Sequence, residues 1–440
     1  MTQELHQLSA TEAARQIAAG QIASEDVVRA CLARIDQTDG HLRAWSWVDP
    51  QRAIAAARDA DTAQQVGAAL GPLHGVPLAV KDILDTADLP TQHNSRIYRD
   101  LQQGKDAAVV AILRAAGAIL LGKTETIEFG AHGRHAVTRN PFDAQRTPGG
   151  SSSGSAAAVA DRSVAISLGT QTGGSVIRPA AYCSVFGFKP THGVVSTEGA
   201  KHFSPTLDTI GWFARTLEDI ALLAEVLHVS DEASPVVAET SALRIGVCRT
   251  PYWGEKAKPA LHEALDEAIG RLREAGVTVV EAELDSRFDR LNLLKETIMR
   301  AEGHIAFLDL ERSHPQQLSP GIVARMNDGR NISRRALGEA RDQAAALRLA
   351  FDAFAAPFDA ILTPSATGEP PLGRAHSGDA IFNGLWTLLH VPALNVPGLF
   401  SRQGLPVGLQ LVAPRFDDRA LLGVAARIAP LFQTPRTSSL

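Results

Sequence analysis

The chain has 440 residues, is 45% apolar, carries a formal net charge of −5 and holds three cysteines. So much apolar content allows a large buried core, while the mild, evenly spread charge excludes nucleic acid and an anionic membrane as obvious partners and favours a small neutral or anionic molecule. Cys31, Cys183 and Cys248 are odd in number and far apart, which argues against a disulfide framework and against a structural zinc site.

The start, MTQELHQLSATEAARQ, has no basic segment followed by an apolar one, so no secretory signal is expected. The longest apolar run, 107–122, is interrupted by Arg114 and is too short for a clean bilayer span, so a cytoplasmic protein is expected. Ser9 with Glu12 forms a capping box for a first helix, and Ser24 opens a second whose Val28, Cys31, Leu32 and Ile35 share one face. PLAVKD from Pro77 reads as a strand ending in charge, 106–116 as a helix, AILLG (118–122) as a strand and VAISLG (164–169) as another. LRIGVC (243–248), 259–275 and VTVVE (277–281) form a strand-helix-strand unit. Long helices are expected at 285–310 and 331–356, and buried strands at FDAILTP (358–364) and LPVGLQLV (405–412). This alternation predicts an α/β fold, a central mixed sheet with helices on both faces. The best candidate boundary, SDEASPVVAETSA (230–242), is short and only moderately polar, and no repeat or low-complexity tract appears. One domain over 1–440 is the expectation.

Two Gly/Ser-rich loops, TPGGSSSGSAAAVA (147–160) and GTQTGGSV (169–176), carry the chemical signal. A phosphate-binding P-loop is excluded, because the glycines of the second are followed by Ser175 and Val176 where Lys and Ser/Thr are needed. GSSSG (150–154) matches a nucleophile elbow centred on Ser152, but the turn-like NPFDAQRTPG stands where that elbow requires a strand. In the second loop, Gly173 and Gly174 let the backbone approach a bound carbonyl and aim N–H groups at the oxygen that turns negative during acyl transfer. Ser175 is then either a nucleophile or the N-cap of a helix beginning at Val176. His74, His132 and His135 sit in no motif that singles one out as its base. Lys81, ending the apolar run VPLAV, is either a base made neutral by burial or a strand-end lysine paired with Asp82.

HGVPLAVKD (74–82), LGKTETIEFG (121–130), NPFDAQRTPGGSSSGSAAAVA (140–160), GTQTGGSVIRPAAYC (169–183), GFKPTHGVVS (187–196) and LDTIGWFARTLED (207–219) together resemble the amidase signature family, in order and spacing. FDAILTP (358–364) and GLPVGLQLV (404–412) extend the resemblance over nearly the whole chain, with 70–220 as the catalytic core and 285–356 as a helical contributor to the substrate pocket. The resemblance implies a Ser-cisSer-Lys triad. It places the lysine at Lys81, the bridging serine, held by a cis peptide bond, at Ser151 and the nucleophile at Ser175, with the N–H groups of Thr172, Gly173, Gly174 and Ser175 as the oxyanion hole and no metal or organic cofactor. Gln171, Ser153, Glu125 and His93-Asn94-Ser95 depart from the family's usual residues, which bears on specificity rather than reaction type.

The string GTQTGGSVIRPA is similar to malonamidase-like members, in which the arginine falling on Arg178 holds a substrate carboxylate. A guanidinium can grip a carboxylate through two charge-assisted hydrogen bonds; the alternative is an arginine tying its helix to a neighbouring loop. The resemblance therefore implies an amidase acting on a small amide, an amido acid among the candidates, with a homodimer left open. The other class it admits is the catalytic subunit of an amidotransferase, releasing ammonia from glutamine for a tRNA-dependent partner.

Overall fold

Apolar side chains alternate between two clusters along the strands, and that alternation builds a two-faced sheet. The structure is a computed structural model describing residues 4–230 and 239–433; most of the candidate boundary at 230–242 lies outside the described residues. Eleven strands occur among them: β1 (Trp45–Val48), β2 (Pro77–Lys81), β3 (Ile119–Thr124), β4 (Ile166–Gln171), β5 (Phe186–Lys189), β6 (Thr209–Ala214), β7 (Arg244–Val247), β8 (Thr278–Glu281), β9 (Ala360–Pro364), β10 (Ala393–Val396) and β11 (Leu409–Val412). They form one sheet in the order β1-β3-β2-β4-β6-β5-β10-β11-β9-β7-β8. It is mixed: β2 runs parallel to β3 and β4, β7 runs parallel to β8 and β9, and the remaining pairs are antiparallel.

Leu78 and Val80 of β2 face one cluster while Ala79 faces another, and Trp212 against Phe213 and Leu362 against Ile361 divide the same way. That is the period of two expected of a strand buried on both sides. Helices Ala108–Ala115, Leu217–Val226, Pro259–Glu274 and Asp418–Phe432 cover the first face. The second is covered at one end by Ser24–Leu42, Pro50–Gln65 and Ser153–Ala160, and at the other by Leu291–Ala306, Pro320–Arg330, Arg334–Ala355 and Ile381–Leu388.

Local signals behave as their chemistry predicts. Ser9 Oγ accepts from the Glu12 N–H at 3.1 Å, and Ser333 Oγ accepts from the Ala336 N–H at 3.1 Å, starting Arg334–Ala355. The second helix does begin at Ser24, but its first N–H groups are capped from outside, Ser24 and Glu25 donating to the Asp61 carboxylate at 2.7 and 3.0 Å. The helix expected over 285–310 is interrupted, with a 3-10 turn at Ser286–Phe288, a helix at Leu291–Ala306 and a short one at Leu308–Ser313. Among the described residues no helix is long and apolar enough to cross a membrane, and the three cysteines are free and buried.

Candidate active site

Because β2 and β4 are parallel neighbours, their carboxyl ends emerge side by side, where ligands are bound in sheets of this kind. Lys81 closes β2, and Thr170 and Gln171 close β4. Lys81 is fully buried, and its Nζ reaches Ser151 Oγ at 2.7 Å and Thr170 Oγ1 at 2.8 Å. Neither partner is charged, so burial dominates and pushes the lysine down to about 7, with the more distant Asp208 pulling it back up. The alternative pairing with Asp82 is not what forms. Asp82 faces Lys123 of β3 at 3.5 Å, and Lys123 also donates to Leu84 O at 2.8 Å and Thr91 Oγ1 at 2.7 Å. Asp82→Ala would leave that second buried cation without its counter-charge and is expected to cost about 3 kcal/mol of stability, read from the urea midpoint.

Ser151 is carried by the irregular segment ahead of helix Ser153–Ala160, and the Gly150–Ser151 peptide is cis. Its carbonyl is pinned by Thr126 Oγ1 at 3.1 Å and the Ile127 N–H at 3.3 Å, which fixes the hydroxyl over Lys81. Ser152 belongs to the interior instead. It is fully buried, its hydroxyl donates to Thr170 O at 3.2 Å, and no strand precedes it, so the elbow geometry is absent.

Ser175 does not cap the helix that follows it. That helix, Ile177–Tyr182, takes no capping bond from a side chain at its N-cap position, Val176. Gln171 Oε1 instead accepts from the N–H groups of Val176 at 2.9 Å and Ile177 at 3.0 Å. Gln171 Nε2 in turn reaches Thr387 Oγ1 at 3.1 Å, and Thr387 Oγ1 donates to Gly173 O at 2.8 Å. The glutamine thus braces the loop from within and relieves Ser175 of a structural duty. The two glycines differ: a Cβ on Gly174 would come within 2.5 Å of Asn383 Oδ1, whereas one on Gly173 would meet only Ala380 at 3.8 Å. Close packing therefore demands glycine at 174 alone. Thr172 is tied down by its hydroxyl on Asp208, whose other oxygen accepts from the N–H groups of Phe203 and Ser204 at 2.8 and 2.9 Å.

Ser151, Thr172, Gly173, Gly174, Ser175 and Arg178 all line one cavity of about 970 Å³, with Lys81 buried behind Ser151. Asn292, Lys295, Met299 and Arg325 come to the same cavity from the helical region expected to contribute to it. Arg178 Nη2 donates to Gly150 O at 2.6 Å and Ser377 Oγ at 3.0 Å, while Nε is buried without a partner. It therefore steadies the peptide before Ser151 and still has donors in hand. Of the histidines, His74 Nε2 lies 3.1 Å from Ala60 O, His135 lines a different, smaller pocket, and His132 faces the cavity. Sequence reasoning missed Thr170, Gln171, Asn383 and Thr387 as parts of this site; only Gln171 left a trace, as a departure inside a motif.

Comparison with known proteins bears on the whole chain. A family model described as Amidase matches residues 26–422. A glutamyl-tRNA(Gln) amidotransferase subunit of Chloroflexus aggregans is 35% identical over 472 residues, covering 96% of each chain. Among solved structures, a crystal structure of an amidase superposes with a TM-score of 0.87 at 27% identity, covering 96% of this chain and 99% of that one. A chain from a vestigial protein complex connected with the origins of an s-triazine catabolic enzyme superposes at 0.86 with 29% identity, covering 96% and 98%.

Proposed function

The chain belongs to the amidase family, and on that premise we propose that it cleaves the C–N bond of a small carboxylate-bearing amide, releasing ammonia or an amine through an acyl-enzyme on Ser175. The observation that carries the reading is the hydrogen bond of buried Lys81 to Ser151 at the edge of the cavity that holds Ser175.

In this reading neutral Lys81 draws a proton from Ser175 through Ser151 while Ser175 Oγ bonds to the amide carbon. The oxyanion is met by backbone N–H groups of Thr172, Gly173, Gly174 and Ser175, held in place by Gln171, Thr387 and Asn383. The proton returns through Ser151 to the leaving nitrogen, the C–N bond breaks, and the ester is left on Ser175. Water attacks the ester along the same relay, giving a carboxylic acid and the free serine. Arg178 orients the substrate by its carboxylate. Arg178→Gln is expected to lower the preference for malonamate over uncharged butyramide about 10–100-fold, the worth of one charge-assisted contact, read as the ratio of kcat/KM values from ammonia release. An unchanged ratio would make Arg178 a structural residue only.

A second reading is favoured by the likeness to the amidotransferase relative over 96% of both chains. Here the released ammonia is consumed by a partner protein instead of escaping, and glutamine is the amide. The first half of the chemistry is the same. Ammonia release by the purified chain alone supports the hydrolase; release from glutamine that needs a co-purifying protein supports the amidotransferase.

A further inference from the structure

The cavity is larger than a malonamate-sized molecule would need, and its charge is uneven. Five cationic side chains, Arg178, Lys256, Lys258, Lys295 and Arg325, line it against three carboxylates, Glu255, Glu296 and Asp379. Two of these cations are answered locally: Lys256 by Glu255 at 2.6 Å and Lys295 by Glu296 at 2.5 Å, with Glu296 also held by Arg300 at 3.0 Å. Arg325 is answered more loosely. Asp328 of its own helix is 3.9 Å away and Glu296 acts on it from farther off, while its guanidinium makes no hydrogen bond among the described residues. A guanidinium has five N–H donors, and those of Arg325, open to the cavity, are available to a bound anion.

The fold holds this group in place. Ile322 and Met326, one turn apart on helix Pro320–Arg330, are buried in the helical layer, and Arg325 sits on the flank of that stripe, toward the cavity. The helix is seated directly on the loop that carries His132, where a Cβ on Gly321 would come within 2.2 Å of His132 O. His132 itself lies in the field of both arginines. Burial first, then Arg325 and Arg178, hold its imidazole well below the usual histidine range, against the opposite pull of Glu296. His132 and two guanidinium groups, one from the sheet-side helix Ile177–Tyr182 and one from the helical layer, thus line one shared space.

We infer that Arg325 is a second anion-binding residue of the cavity, so that the preferred amide carries two acidic groups, one met by Arg178 and the other by Arg325. The inference rests on the cavity being the amide site and narrows its substrate class to amides of acids with at least two further anionic groups, or amides whose amine portion is itself acidic. An anion bridging the two arginines takes up N–H donors that the protein leaves unbonded.

Calorimetric titration of the full chain with malonate, glutarate and adipate, and with butyrate as the singly charged control, tests this without turnover. At least one dicarboxylate is expected to bind 10-fold or more tightly than butyrate. Arg325→Gln should remove that advantage, and Arg325→Lys should restore part of it. Equal affinities for butyrate and every dicarboxylate, or an advantage that survives in Arg325→Gln, would overturn the inference. A chain that releases ammonia from no amide would sink the amidase reading, yet it would still give one of these binding outcomes.

Discussion

Ser175→Ala is expected to reduce kcat for amide cleavage by about 10⁵-fold or more, the scale seen when a serine that forms the acyl-enzyme is removed. The reason is geometric. Ser175 lines the cavity, is excused from helix capping by Gln171, and stands among the N–H groups proposed for the oxyanion. KM should move little, because Arg178 and the cavity walls are untouched. Ser152→Ala is the matched control: its hydroxyl is buried against Thr170 O, so its loss is expected to cost stability rather than the reaction. Ammonia release and labelling by a fluorophosphonate probe read both variants. Abolition by Ser152→Ala with Ser175→Ala still active would reverse the assignment.

Lys81→Met should cost about 10²–10⁴-fold, the range expected when a positioned proton acceptor is lost. The pH profile supplies the sharper test. Burial holds Lys81 down to about 7, and only its neutral form can accept a proton. The value of kcat/KM should therefore climb about tenfold per pH unit below 7 and level off above it, the sign expected of a base that acid disables. Lys81→Arg keeps a positive charge at every accessible pH and is expected to be as inactive as Lys81→Met. A profile falling as pH rises through 7 would remove Lys81 as the base.

Much of the scaffold was legible because its signals are local. The apolar run before Lys81, the capping serine at 9 and the buried apolar runs of β9 and β11 depend on residues a few positions apart. β1, β5, β6 and β10 were not anticipated, each being given its place by partners elsewhere in the chain: β1 pairs with β3, β6 with β4 and β5, and β10 with β5 and β11. The continuous helix expected over 285–310 fails at Ser286–Phe288 and again at Phe307, which serves as both the end of one helix and the start of the next. In the site, Ser175 and Lys81 stood out in their local sequence, whereas Ser151 and the role of Arg178 came from the family resemblance. The bracing of their loop did not, since no local pattern links Gln171 to Thr387, 216 residues away. Lys81 itself remained ambiguous in sequence because Asp82 is adjacent; the sheet resolves it by turning Asp82 toward Lys123.

The long reach of that brace also has a temporal meaning. While the chain is being made, the stretch holding Ser175 leaves the ribosome long before Asn383 and Thr387 exist to meet Gly174 and Gly173. At ordinary elongation speeds of about 5–20 residues per second, some 10–40 s separate the two events. Throughout that interval the nascent protein carries Ser175 without the support that braces its loop. On the proposed reading, the loop carrying Ser175 reaches its braced form only late in synthesis, once Thr387 has been made.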